Sequence, residues 1–174
     1  NSVEMANTNI DRAYCFDLNK VTKAELDSLK ENINPNIILM IDTLEHLATP
    51  ERLLSLLLTV YPKAPLLVVL PNISCLTIID QLSKGEFNYT QHGILDYTHL
   101  KHFTPKSAYR FFDKYGYTIT RDPVFLNEPR LKNLGENRIY PTTVQYNDIQ
   151  LSVESQTDLT VLISYGFGFV AHPK

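Results

Sequence analysis

Residues 36–72 read NIILMIDTLEHLATPERLLSLLLTVYPKAPLLVVLPN, and their pattern sets the architecture. NIILMI is a short, continuous apolar run closed by Asp42. Its length and branching predict a strand covered on both faces, the mark of a parallel sheet. Thr49 and Pro50 then supply a helix start, a capping hydroxyl followed by the ring whose fixed φ suits the first turn. Leu53, Leu54, Leu57 and Val60 fall at helical spacing and predict one buried stripe. APLLVVLPN (64–72) is a second apolar run that predicts another doubly covered strand, stopped by Pro71. Strand, helix and strand in this order make a βαβ unit.

The flanks extend the alternation. RAYCFDL (12–18) predicts a short strand ending on Asp17, and 21–33 a surface helix with Thr22 as cap and Leu26, Leu29 and Ile33 as its stripe. Residues 73–83 predict a helix, and 84–103, KGEFNYTQHGILDYTHLKHF, a long connection rich in aromatics and histidine. Thr104-Pro105 repeats the cap-and-proline start. Ala108, Phe111, Phe112 and Tyr115 line one helical face, and Gly116 ends that helix. YTITRDPVFL (117–126) predicts a strand interrupted by Pro123, and 127–150 an irregular polar stretch. DLTVLISYGFGFVAH (158–172) predicts a last strand, antiparallel and near an edge.

The expected fold is therefore α/β and Rossmann-like: a mainly parallel sheet, helices on both faces and an antiparallel C-terminal strand. A single domain spans residues 1–174. Ligands of such sheets bind beyond the carboxyl ends of the strands. That rule puts Asp17, Asp42, Glu45, His46 and Asn72 on one rim.

A formal charge of −3 and a pI near 5.9 argue against broad binding of nucleic acid or an anionic membrane. No run approaches the ~18 apolar residues of a spanning helix. Cys15 and Cys75 alone make neither a disulfide framework nor a zinc knuckle, so reduced thiols and a cytoplasmic setting are expected, with Cys15 packed inside.

Three segments, IDTLEHLATPERLL (41–54), LVVLPN (67–72) and GEFNYTQHGILDYTHLKHFT (85–104), occur in an order that resembles the second half of class I S-adenosylmethionine-dependent methyltransferases. The resemblance covers roughly residues 10–120. It implies transfer of a methyl group from S-adenosylmethionine, with O-methylation of a hydroxylated small molecule, sugar or nucleic-acid end as the expected reaction. A compact acceptor is expected over a long nucleic acid. The family's glycine-rich cofactor loop belongs before residue 1, and Gly166-x-Gly168 lies inside a strand, so it cannot serve. The expectation is a chain lacking its first βαβ segment; a degenerate Rossmann-like domain serving as a binding or assembly module is the alternative. The resemblance places Asp17 at the adenine amino group, Leu18 against that ring, and Ile41 and Asp42 beside the methionine part. Asp17 also reads as a loop acid capping a turn.

Asp42, Glu45 and His46 sit at i, i+3 and i+4, and His99 comes from the later connection. Two carboxylates and two imidazoles suit a divalent ion (Mg²⁺, Mn²⁺ or Co²⁺) with positions left for substrate oxygens. The pattern is similar to that of the small-RNA 2′-O-methyltransferases, in which an acid-x-x-Glu-His turn and a later His hold a metal over two terminal hydroxyls. Asp42, Glu45, His46 and His99 fall on those positions; His102 does not. Glu45, His46 and His99 are the catalytic candidates. Three readings stay open: a metal site, a metal-free site with His46 or His99 as general base, and a Glu-His pair that only caps the next helix. Residues 84–103 are the expected acceptor-side lid, with Tyr89 and Tyr97 as candidate substrate contacts and Phe87 as a further wall.

Overall fold

The computed structural model describes residues 12–120, 122–135 and 138–174. The βαβ unit forms where its pattern demands. Strands β1 (Ile38–Ile41) and β2 (Leu66–Pro71) pair in parallel, Ile38 against Leu66 through Ile41 against Val69. Helix α1 (Lys23–Lys30) precedes them, and α2 (Pro50–Val60) joins them. Then come α3 (Leu76–Ser83), α4 (Pro105–Lys114), β3 (Tyr117–Ile119) and β4 (Val124–Asn127). A hairpin of β5 (Thr142–Tyr146) and β6 (Ile149–Val153), α5 (Gln156–Leu162) and β7 (Ser164–Pro173) complete the chain.

The main sheet runs β1-β2-β7-β3, with β4 also on β7. β7 is antiparallel to β2, β3 and β4, so those three and β1 share one direction and the C-terminal strand opposes them. This is the expected sheet, with one correction: β7 lies between β2 and β3 rather than near an edge. Phe167, Phe169 and Ala171 are fully or almost fully buried there. Gly168 permits the close pairing, since a Cβ at that position would stand 3.3 Å from the Val68 carbonyl oxygen.

Two apolar clusters hold the molecule. Leu26 of α1, Leu53, Leu54 and Leu57 of α2 and Phe112 of α4 meet Met40, Val68 and Phe169 on one side of the sheet. On the other side Leu39 (60% exposed) and Ile41 (51%) stay open. Among the described residues β1 is thus covered on one face only, which corrects the doubly covered strand expected there. Cys75, Leu76, Leu131, Val144, Val153 and Leu159 form the second cluster, under the hairpin and between α3 and α5.

The caps divide. Thr22 and Thr104 form capping boxes with Glu25 and Ser107, whereas the Thr49 side chain makes no cap bond and Pro50 alone marks the start of α2. Gly116 closes α4 at φ +87°, where a Cβ would lie 2.7 Å from Leu58 Cδ2. Three further expectations are corrected. Residues 12–17 form no strand, for no described strand pairs with them. Cys15 is exposed. Residues 158–162 belong to α5, because Ser155 caps that helix by accepting from the Asp158 amide at 3.2 Å.

Asn72 ties the ends of β2 and β7 together. Its Nδ2 donates to the Val161 and Ser164 carbonyls at 2.7 and 2.9 Å, while its Oδ1 accepts from the Ser74 amide at 3.0 Å. Every bond is internal and the side chain is buried, so this rim residue is a structural bracket. Asn72→Ala strands two carbonyls and an amide; a loss of about 2–4 kcal/mol is expected in urea unfolding.

Candidate active site

At the end of β1 the chain makes a sharp departure. Asp42 adopts φ +45°, a left-handed conformation that aspartate tolerates better than most residues. A 3₁₀ turn, Leu44–His46, follows at once. Such a turn has three residues per revolution, and Asp42 lies outside it, so the i, i+3, i+4 ridge expected for Asp42, Glu45 and His46 is not built. Glu45, His46 and His99 nevertheless converge: each offers a ligand atom within 4.8 Å of the others'. Asp42 is exposed and stands outside that group while lining the same cleft.

His99 is delivered by backbone pairing. The Leu100 and Lys101 amides both donate to the Glu45 carbonyl, at 2.7 and 3.0 Å, and Asn72 bridges to Phe103. The His46 and His99 rings meet edge to face with centroids 4.8 Å apart.

The hydrogen bonds also fix the tautomers. His99 Nδ1 lies 3.0 Å from the Ile94 carbonyl, which can only accept. Thr98 Oγ1 donates to Asp96 at 2.6 Å and therefore accepts from His46 Nδ1 at 3.0 Å. Both rings thus carry the proton on Nδ1 and leave the Nε2 lone pair free, the arrangement second-shell partners impose on metal-ligating histidines. Thr98→Val removes the nearer of the two acceptors that set His46, leaving only the Thr98 carbonyl at 3.3 Å. A 10- to 100-fold loss of divalent-ion affinity is expected, read by titration.

Glu45 is the anomaly. It is 0% exposed, and among the described residues neither carboxylate oxygen meets the geometry of a hydrogen bond. Burial pushes its carboxyl above the ordinary value; its own backbone amide opposes the rise, nearby Asp42 adds to it, and His99 and His46 oppose it. A buried carboxylate with no donor is costly. A cation is the partner that two free imidazole nitrogens and this carboxylate share in common, so the donor set fits a divalent ion of the Mn²⁺ or Co²⁺ kind.

The cluster opens on a cleft of about 910 Å³, lined by Ile41, Asp42, His46, Val69 and His99. The expected lid contributes Asn88, Thr90 and residues 92–96 to its walls. Tyr89 and Tyr97 are exposed and do not line it; Tyr89 packs edge to face on Phe87 at 5.4 Å. In an extended segment alternate side chains face opposite ways, so Asn88 and Thr90 turn inward and Tyr89 outward. Asp17 and Leu18 also lie off this cleft. Asp17 caps a turn, accepting from the Asn19 amide at 3.0 Å, and Leu18 packs on the core. The lining also includes Asp80, Glu128, Arg130 and Tyr146. Asp80 and Lys84 form an i, i+4 ion pair that the sequence displays but that marks a helix surface anywhere.

The fold is that of the class I S-adenosylmethionine-dependent methyltransferases. One such enzyme from Archaeoglobus fulgidus superposes with a TM-score of 0.50 at 14% identity, over 97% of this chain and 72% of its own. A methyltransferase of this type from Thermotoga maritima gives 0.47 at 12% identity, over 80% and 56%. The magnesium protoporphyrin IX methyltransferase of Synechocystis PCC 6803, solved with S-adenosylhomocysteine, gives 0.44 at 10%, over 94% and 51%. The chain thus spans little more than half of these last two structures. No protein-family model and no curated protein sequence matches it. Among the described residues, no helix is long and apolar enough to cross a membrane.

Proposed function

We propose that this chain carries the acceptor side of an S-adenosylmethionine-dependent O-methyltransferase acting on a hydroxyl of a small molecule, sugar or nucleic-acid end. The observation that supports it best is the buried, unpartnered Glu45 carboxylate beside two imidazoles with free Nε2 atoms, at the strand-end rim of a methyltransferase fold. When bound, S-adenosylmethionine supplies an electrophilic methyl on sulfonium. A divalent ion held by Glu45, His46 and His99 would supply Lewis acidity that eases loss of the hydroxyl proton. The protein's own part is placement: these side chains orient the acceptor oxygen toward the methyl, so that an O–C bond forms as the C–S bond breaks. In the absence of an ion, an Nε2 lone pair of His46 or His99 takes the hydroxyl proton as general base. Residues 84–103 wall the acceptor, and Ile41 and Asp42 border the donor's methionine part; Asp17 and Leu18 are proposed for its adenine. The net charge of −3 favours a compact acceptor.

Two titrations test this reading. Calorimetry with S-adenosylhomocysteine should show one site, and a silent titration would favour a non-catalytic module. Mn²⁺ should bind the wild type, and the double variant Glu45→Ala, His46→Ala should lose it. Methyl transfer unaffected by chelation would leave the imidazole base as the mechanism.

A further inference from the structure

The cleft that His46 and His99 line also carries a charged side chain that is held in place but not used up. Arg130 lines the cleft. Its Nε donates to Glu128 Oε1 at 2.7 Å, and its backbone amide donates to the same oxygen at 3.3 Å. Glu128 is largely sheltered, with a side chain 13% exposed, and the Arg130 guanidinium holds its carboxyl below the usual range. The next residue, Leu131, is fully buried in the second apolar cluster. Arg130, its side chain 71% exposed, is thus oriented through Nε and through its backbone, while among the described residues Nη1 and Nη2 have no partner. A guanidinium braced in this way presents a ready two-pronged donor, the geometry that matches phosphate oxygens. Tyr146, on the tip of the β5–β6 hairpin, brings a phenol to the same lining.

We infer that Arg130, braced by Glu128, is an anion-binding subsite that takes a phosphate group of the methyl acceptor. The inference rests on the proposed function in one respect, namely that this cleft takes the acceptor. It adds the substrate class: a hydroxylated phosphate ester whose hydroxyl end reaches Glu45, His46 and His99 while its phosphate meets Arg130. Glu128 offsets part of the arginine charge. Selectivity thus comes from the orientation of Nη1 and Nη2 more than from net charge.

Cytidine 5′-monophosphate and cytidine are suitable probes, since both carry the sugar hydroxyls, only one carries phosphate, and neither resembles the adenine of the donor. Binding is measured with saturating S-adenosylhomocysteine, with inorganic phosphate as a third ligand. The monophosphate should bind wild type at least tenfold more tightly than cytidine, and more tightly than inorganic phosphate. Arg130→Gln should bring the two nucleosides within about twofold without weakening cytidine, and Arg130→Lys should keep part of the preference. Equal affinities in wild type, no binding of either nucleoside, or a preference that survives in Arg130→Gln would overturn the inference. A Mn²⁺ titration on the same samples separates the two readings. Ion binding without phosphate preference sinks only this subsite; phosphate preference without ion or donor binding sinks only the proposed function.

Discussion

Glu45→Gln is expected to raise the thermal midpoint of the metal-free protein and to erase any stabilisation by Mn²⁺. The carboxyl is buried without a donor, and burial lifts its proton affinity above the ordinary value of 4.5. Folding therefore favours the protonated form. That stabilisation is complete below the unfolded value and disappears as pH climbs through the raised native one. Glutamine has no such proton to lose, and its amide can donate to the free nitrogens of His46 and His99. The variant should gain about 1–3 kcal/mol at neutral pH and lose the decline in stability expected of the wild type as pH rises. The wild type should recover through ligand linkage, about 2.7 kcal/mol at a hundredfold excess over Kd. Calorimetric melts at several pH values, with and without Mn²⁺, check both halves. A wild type indifferent to Mn²⁺ would defeat the metal reading, and a variant less stable than wild type at pH 7 would defeat the electrostatic one.

The second large effect is structural. Phe112 is fully buried in α4, with ring centroids 5.0 Å from Phe169 of β7 and 6.0 Å from Tyr117 of β3. It joins the last strand, which fills the centre of the sheet, to the helix that follows the His99 segment. Phe112→Ala should cost about 3–5 kcal/mol, a large share of the 5–15 kcal/mol typical of a domain. Urea unfolding should show a lower midpoint at nearly unchanged slope. A loss under 1 kcal/mol would mean that the cavity collapses or that this aromatic junction is not the keystone of the core.

The elements that were legible are those with local causes. The 36–72 unit needed only apolar runs and a Pro50 start, and Thr22 and Thr104 announced their helices as capping hydroxyls, the second with Pro105 behind it. Glu45 and His46 were visible as an acid–imidazole pair just past a strand end, and His99 through the resemblance that the 85–104 segment carries. What escaped was decided by backbone geometry or by distant partners. The left-handed turn at Asp42 removes that carboxylate from the cluster, and alternation along 87–90 sends Tyr89 out and Thr90 in. The hairpin was hidden by its polarity, although Tyr146 and Ile149 flank a two-residue Asn147-Asp148 turn with Asn147 at φ +50°, a recognised hairpin signal. Arg130 and Glu128 gave no sign, since their meaning depends on a cleft that forms only when β4 and β5 arrive.

The peptide carbonyl of Glu45 moors the segment that delivers His99, accepting from the Leu100 and Lys101 amides, while its buried carboxylate gathers with the His46 and His99 rings. Anchorage and chemistry are thus written on different atoms of one residue. The head group there can be exchanged without casting off the mooring line, which makes position 45 a natural place to reprogram what this rim captures.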